Sequence, residues 1–228
     1  LIENNVPIAK RGADSDVLYF GKYKGNPISA ITDMGYLKWL LKEGKMKQSM
    51  KDVIENTDMI LSAIPSQLLR QVMNDVKKHY NKQIIISVTK GLEHHTGKRM
   101  SEVIEDVLGN NSKIAVLSGP NHAEEVSRKM PTAAVIASKN RKAAKIAAEA
   151  FATPSFKMYQ LNDVAGVEIC GALKNITAIA TGVCDGFGLG DNAKASIITL
   201  GLMEMNNFGR HFGAKRGTVY GLAGVGDL

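Results

Sequence analysis

Short, uniformly apolar runs alternate with amphipathic stretches over the first two-thirds of the chain. Asp58–Ile64 (DMILSAI), Gln83–Thr89 (QIIISVT), Lys113–Leu117 (KIAVL) and Thr132–Ser138 (TAAVIAS) are largely apolar runs of strand length, and Ser155–Tyr159 reads as a last short strand. That is the pattern of strands buried on both sides. Between them, Gln67–His79, Lys98–Leu108, Asn121–Lys129 and Arg141–Phe151 show apolar positions at helical spacing. Upstream, Asp16–Tyr19 with Phe20 reads as a strand closed by turns at Gly21 and Gly25. Gly35–Glu43 reads as a helix ended by Gly44, and Lys51–Asn56 as a short amphipathic turn. Strands alternating with helices predict an α/β fold, a Rossmann-like and mostly parallel sheet with helices on each side. After Leu161 the strands stop and long helices take over. The expected division is therefore a sheet domain over 1–161 and an all-α domain over 162–228.

Asp163–Glu204 is the most informative stretch. From Val164 to Val183 only Glu168 and Lys174 are charged, and Val167, Ile169, Leu173, Ile176 and Ile179 place apolar groups on every helical face. Such a helix belongs in a core or a bilayer. Two charges at about 2.5–3.5 kcal/mol each near mid-bilayer count against the membrane, so the expectation is a buried helix with a lysine at its centre. Burial disfavours the ammonium form and makes an amine a usable base. The neighbouring Asn175 and the glycine-rich run Gly182–Gly190 have the look of a site wall. A second helix is expected to restart with Asp191 or Asn192 as its N-cap.

The 228 residues are 44% hydrophobic and 22% charged, with a net charge of +7. This is a soluble composition whose basic field suits anionic small molecules better than nucleic acid, since the lysines and arginines are scattered. Cys170 and Cys184 fall too far apart on one helix for a disulfide and read as core residues in a reducing compartment. The five histidines form no metal-binding pattern, and no metal is expected. Neither GFGLG (Gly186–Gly190) nor GLAGVG (Gly221–Gly226) follows a buried strand, so neither is a dinucleotide fingerprint.

Ligands in doubly wound sheets bind outside the carboxyl ends of the strands. Three such ends carry polar groups here: Ile64-Pro65-Ser66, Thr89-Lys90-Gly91 and Ser118-Gly119-Pro120-Asn121. The amides of Asn121, His122 and Ala123, opening the next helix, are expected to offer donors to an anion or a carbonyl.

The blocks IAVLSGPNHAEEV (Ile114–Val126), GALKNITAIATGVCDGFGLGDNAKA (Gly171–Ala195), LGLMEM (Leu200–Met205) and GLAGVGDL (Gly221–Leu228) resemble NAD(P)-dependent glycerol-3-phosphate dehydrogenases, with a likeness running from about Lys45 to Leu228. The resemblance implies a Rossmann-type domain followed by a helical substrate domain of the 6-phosphogluconate-dehydrogenase-like kind. It implies NAD or NADP as cofactor and a phosphorylated three-carbon substrate. It also implies a cytoplasmic homodimer supplying phospholipid synthesis, without nucleic-acid or membrane partners. By motif position, Lys174 would be the general base, Lys90 would bond the reacting oxygen or the phosphate end, and Asp227 would orient and charge-balance Lys174. Gly119, Asn121 and Asn175 would line the substrate, while Pro65, Ser66, Lys90 and Ala123 would face the cofactor. The family's glycine-rich loop would precede Leu1, and its Arg-Asn phosphate clamp would follow Leu228. Lys22 and Lys24, after the upstream strand, would favour a 2′-phosphate and hence NADP. Two other readings compete. One is a lysine-based dehydrogenase of the 6-phosphogluconate or hydroxyacid type. The other is a non-catalytic module that binds nucleotide or RNA.

Overall fold

The computed structural model describes residues 53–228. The elements expected around Asp16–Phe20 and Gly35–Glu43 lie outside the described residues, as do Lys22 and Lys24. Five strands form one sheet in the order β1-β2-β3-β4-β5, with β1 Met59–Ser62, β2 Ile84–Ser87, β3 Lys113–Ser118, β4 Thr132–Ala137 and β5 Phe156–Leu161. Each grows from one of the apolar runs, and β2 is buried at every position. The pairings β1–β2, β2–β3 and β4–β5 are parallel, whereas β3–β4 is antiparallel. The sheet is thus mostly parallel, with one reversal.

The reversal follows from the segment between β3 and β4. Asn121–Lys129 was expected to be a full helix, but only α3 (Ala123–Ser127) forms, a helix of 5 residues. A piece that short cannot carry the chain back along the sheet as a parallel crossover requires. β4 therefore starts at the edge where β3 stops.

The remaining helices are α1 (Leu69–Lys77, entered through a 3₁₀ turn at Ser66–Leu68), α2 (Met100–Leu108), α4 (Arg141–Phe151), α5 (Val164–Gly186), α6 (Gly190–His211) and α7 (Arg216–Val219). Alternation along the strands sorts them onto two faces. Ile84, Ile86, Ala115, Leu117 and Ile136 meet Ala143, Ala147 and Ala148 of α4 on one side. On the other, Ile85 packs with Leu69 and Met73 of α1 and with Met100, Val103 and Ile104 of α2. Val116, Val135 and Ala137 pack with Val164, Val167 and Cys170 of α5. Each fully buried Leu or Ile contributes about 1.5–3 kcal/mol, and α2 and α5 lie beside each other on the same face.

Two expectations about the helical part are corrected. α5 is continuously buried only through its first half, with Thr177 and Cys184 the buried residues beyond it. Beyond Lys174 it exposes Ile176, Ile179 and Val183, and Phe187 just past its end is 77% exposed. Its length and composition would suffice to cross a membrane. Both of its early charges, however, are ion-paired to other parts of the fold. α6 begins at Gly190 with Leu189 as N-cap and no side-chain cap. Asp191 lies inside the helix and pairs with Lys194 at 2.8 Å. Gly188 and Gly190 adopt left-handed φ values of 64° and 81°, which turn the chain without a cap.

Candidate active site

The carboxyl ends of β1 and β2 are stitched together before any catalytic group is added. Thr89 donates its hydroxyl to the Ser62 carbonyl at 3.3 Å and accepts from the Ile64 amide at 3.3 Å. Gln67, just past Pro65-Ser66, donates to the Leu92 carbonyl at 2.8 Å and accepts from the His94 amide at 2.9 Å. Gly91 has φ of 125°, and a Cβ there would press to 3.1 Å from the Ser66 hydroxyl. A glycine is therefore needed after Lys90 for the two loops to meet. Gly119, with φ of 135°, does the same at the end of β3, where a Cβ would sit 3.0 Å from the Ala134 backbone.

α5 reaches this edge from an anchored start. Asp163 caps it, accepting from the Gly166 amide at 2.9 Å, and also takes the Lys215 amide at 2.8 Å and the Thr218 hydroxyl at 2.6 Å. One buried carboxylate thus fastens the beginning of α5 to α7 and, through α7, to the Gly221–Leu228 turn. That turn is tight. The amides of Gly224 and Gly226 both bond the Gly221 carbonyl, and those of Asp227 and Leu228 bond the Gly224 carbonyl. A Cβ at Gly224 would overlap the Val219 carbonyl.

The turn delivers Asp227 between two lysines. Lys174 Nζ lies 2.8 Å from Oδ1 and donates to the Asp227 backbone carbonyl at 3.0 Å, while Lys90 Nζ lies 2.8 Å from Oδ2. The Asp227 side chain is 8% exposed, that of Lys174 16% and that of Lys90 37%. Gly171, one turn before Lys174, lies beside the Lys90 stem: a Cβ there would be in ordinary van der Waals contact with Lys90 Cγ at 3.5 Å and the Ser118 hydroxyl at 3.6 Å. Burial holds the Lys90 ammonium below the ordinary lysine range. The Lys174 ammonium adds to that, and Asp227 opposes it. Of the three protons on each ammonium, Lys174 commits two to Asp227 and Lys90 one, so both keep donors for a bound oxygen. Burial pushes the Cys170 thiol, on the same helix, up to about 12. Cys170 and Cys184 are both free and buried.

The structure brings Lys90, Lys174 and Asp227 into direct contact and puts Gly119 and Ser66 on the loops beside them. Asn121 is partly buried past the end of β3, and Asn175 is exposed on α5 next to Lys174. No hydrogen bond within the described residues joins either to the three charged groups. Pro65 lies at the turn into α1, and Ala123 is exposed at the start of α3. The anion-binding role expected for the Asn121–Ala123 amides is not favoured, because α3 is short and carries Glu124 and Glu125 in its first turn. Sequence reasoning missed that Gly171 faces the Lys90 stem. It also missed the partners of Glu168. Among the described residues no cluster of three His, Cys, Asp or Glu side chains is placed to hold a metal ion.

Two lysines thus share one carboxylate at the strand ends of a mostly parallel sheet, a lysine-centred site. The family comparison makes this specific. Residues 33–144 match the model of the NAD-dependent glycerol-3-phosphate dehydrogenase N-terminus and residues 163–228 that of its C-terminus. The chain belongs to the NAD-dependent glycerol-3-phosphate dehydrogenase family, and the match starts upstream of Lys45, where the likeness was expected to fade. A glycerol-3-phosphate dehydrogenase [NAD(P)+] of Clostridium botulinum (strain Eklund 17B / Type B) is 44% identical over 190 residues, covering 83% of this chain and 57% of the relative. One from Chlorobium phaeobacteroides is 47% identical over 183 residues, or 79% of this chain and 55% of the relative. The crystal structure of glycerol-3-phosphate dehydrogenase from Coxiella burnetii superposes with a TM-score of 0.74 at 41% identity, covering 78% of this chain and 55% of that one. The chain therefore spans little more than half the length of the curated relatives it matches.

Proposed function

We propose that this chain carries the reaction centre of an oxidoreductase that interconverts sn-glycerol 3-phosphate and dihydroxyacetone phosphate with NAD or NADP. The observation that carries the reading is the Lys90–Asp227–Lys174 contact at the strand ends. Oxidation of a secondary alcohol needs a base for the hydroxyl proton and positive charge beside the oxygen as it becomes a carbonyl. Lys174 takes the proton from the C2 hydroxyl. Lys90 donates to the same oxygen or to the phosphate end, and Asp227 fixes both amines and offsets their charge. Gly119, Asn121 and Asn175 line the substrate. Pro65, Ser66, Lys90 and Ala123 form one side of a dinucleotide cleft, and the Ser66–Gly91 approach leaves bare backbone at its floor. The nicotinamide, when bound, supplies the hydride acceptor for C2. In the reverse direction Lys174 returns its proton to the carbonyl oxygen.

On this reading the sheet part to Leu161 is the nucleotide domain and the helices from residue 162 begin the substrate domain. The enzyme acts in the cytoplasm as a homodimer, feeding phospholipid synthesis. Lys22 and Lys24 bias it towards NADP. The match to both family models weighs against a hydroxyacid substrate and against a non-catalytic module. The test is NAD(P)H oxidation with dihydroxyacetone phosphate by the wild-type protein and its Lys174→Ala variant. Loss of about 10³-fold in kcat with dihydroxyacetone phosphate still bound is the size expected for removal of a general base. An unaffected variant would return Lys174 to a structural role.

A further inference from the structure

α5 carries a second charge, Glu168, which the proposed chemistry does not use and which is more deeply buried than Lys174. Its side chain is 2% exposed. Oε1 accepts the Ser101 amide at 2.6 Å, and Oε2 accepts the Ser101 hydroxyl at 2.6 Å and Arg99 Nη1 at 2.7 Å. Arg99 is the N-cap of α2, and Glu102 accepts its amide at 2.9 Å and its Nη2 at 2.6 Å. Glu168 is thus an anion from one helix seated on the amino end of another, where free amides and the helix dipole favour negative charge. Burial pushes its carboxyl above the ordinary range, against the pull of Ser101 and Arg99.

What hangs on this contact is the loop that begins at Lys90. Leu92 and Arg99 pair as an isolated antiparallel bridge, and the Glu93 amide donates to the Lys98 carbonyl at 2.9 Å. The loop is therefore a closed unit with Lys90 at its mouth and Arg99 at its other end. α5 meets it twice: Gly171 lies beside the Lys90 stem, and Glu168, one turn earlier, holds Arg99 and Ser101. Lys174 follows one turn after Gly171. We propose that Glu168 is a positioning residue, which through Arg99 and Ser101 locks the Lys90 loop to the helix bearing Lys174 and so sets the separation of the two amines across Asp227. Stability alone does not call for this device, because a buried ion pair replaced by apolar groups of similar size is often neutral or better. Register between the loop and the helix does call for it.

The catalytic half of the inference rests on the proposed function; the structural half does not, and the test separates them. Two variants of the full chain are compared with wild type. Glu168→Gln keeps the volume but sets an amide against Arg99. Glu168→Leu with Arg99→Met removes the charged pair and keeps the packing. The first readout is amide hydrogen exchange over residues 90–99. Exchange at least tenfold faster there, with β2 to β5 still protected, is the expected result in both variants. The second readout is the kcat against KM split with dihydroxyacetone phosphate and NAD(P)H. A kcat reduced at least tenfold with the dinucleotide KM within twofold is expected, a division that general loss of folded protein would not produce. Unchanged protection of residues 90–99 in the apolar double variant overturns the proposal, and so does failure of both variants to fold. Absence of turnover in wild type would count against the proposed function alone, since the exchange result stands without it.

Discussion

Replacing Asp227 by Asn keeps the shape of the central side chain and removes its charge. The two lysine contacts of 2.8 Å each correspond to about 6 kcal/mol of gross attraction at an effective dielectric of about 20. Most of that is offset by the desolvation of the groups involved. Breaking a fully buried pair costs about 3–5 kcal/mol, and an exposed pair is worth about 0–1 kcal/mol. With Lys174 16% exposed and Lys90 37%, this site falls between those limits. The bond from Lys174 to the Asp227 backbone carbonyl survives the change. A net loss of about 2 kcal/mol in unfolding free energy at pH 7 is expected, measured by urea denaturation. The pH dependence distinguishes charge from shape. The folded state already favours the neutral form of Lys90, and without Asp227 it does so more strongly. A lysine whose folded pKa is lowered destabilises the fold in full below that pKa, and the penalty fades as pH rises from it to the unfolded value. The deficit of the Asn variant should therefore shrink between pH 7 and about pH 10.5, the ordinary lysine value. A difference under about 0.5 kcal/mol at pH 7, or a deficit that does not change with pH, would refute the idea that Asp227 compensates the two ammonium groups beside it.

Further outcomes follow from the packing and the surface pairs. Gly224→Ala places a methyl against the backbone of Val219, which cannot swing away. It should destabilise by about 3 kcal/mol or more, whereas Gly182→Ala, with open space around it inside α5, should be neutral or stabilising by up to about 1 kcal/mol; thermal unfolding of both separates steric from generic effects of losing a glycine. At low pH, Glu93 is the group to watch. Arg70, bonded to it at 2.7 and 2.8 Å, and the Thr96 hydroxyl hold its carboxyl at about 2 against an ordinary 4.5. Its stabilisation is complete above pH 4.5 and is lost as pH falls towards 2. With the part-exposed Arg70 discounted for screening, about 1 kcal/mol is at stake. Arg70→Met should flatten that part of a stability–pH curve and leave the region above pH 5 parallel to wild type.

The positions of the strands were legible because a run apolar on both faces has few other uses, and β2, from Gln83–Thr89, is the clearest case. That the sheet is mostly parallel was legible from the helices between the strands, but its one reversal was not; β4 reverses because the segment before it makes 5 helical residues. Hydropathy also overstated the burial of α5. Periodicity reports which faces could be covered, and Ile176 and Ile179, exposed at 66% and 69%, show that a face suited to burial is still open. Lys174 stood out as the odd charge on an apolar helix, but its partner lies 53 residues away and was placed by motif alone. Glu168 met the same criterion and was used only to argue against a bilayer. A buried carboxylate obliges a donor set, and the nearest basic residue by topology is Arg99, which precedes a helix docked beside α5. In sequence the two are 69 residues apart, and Arg99 reads as one more solvated charge before Met100. The signal was therefore not a motif but an obligation, that a charge on an apolar helix must be met by another element. Glu168 and Lys174 were both marked by it, and each is met by a residue that controls where Lys90 sits.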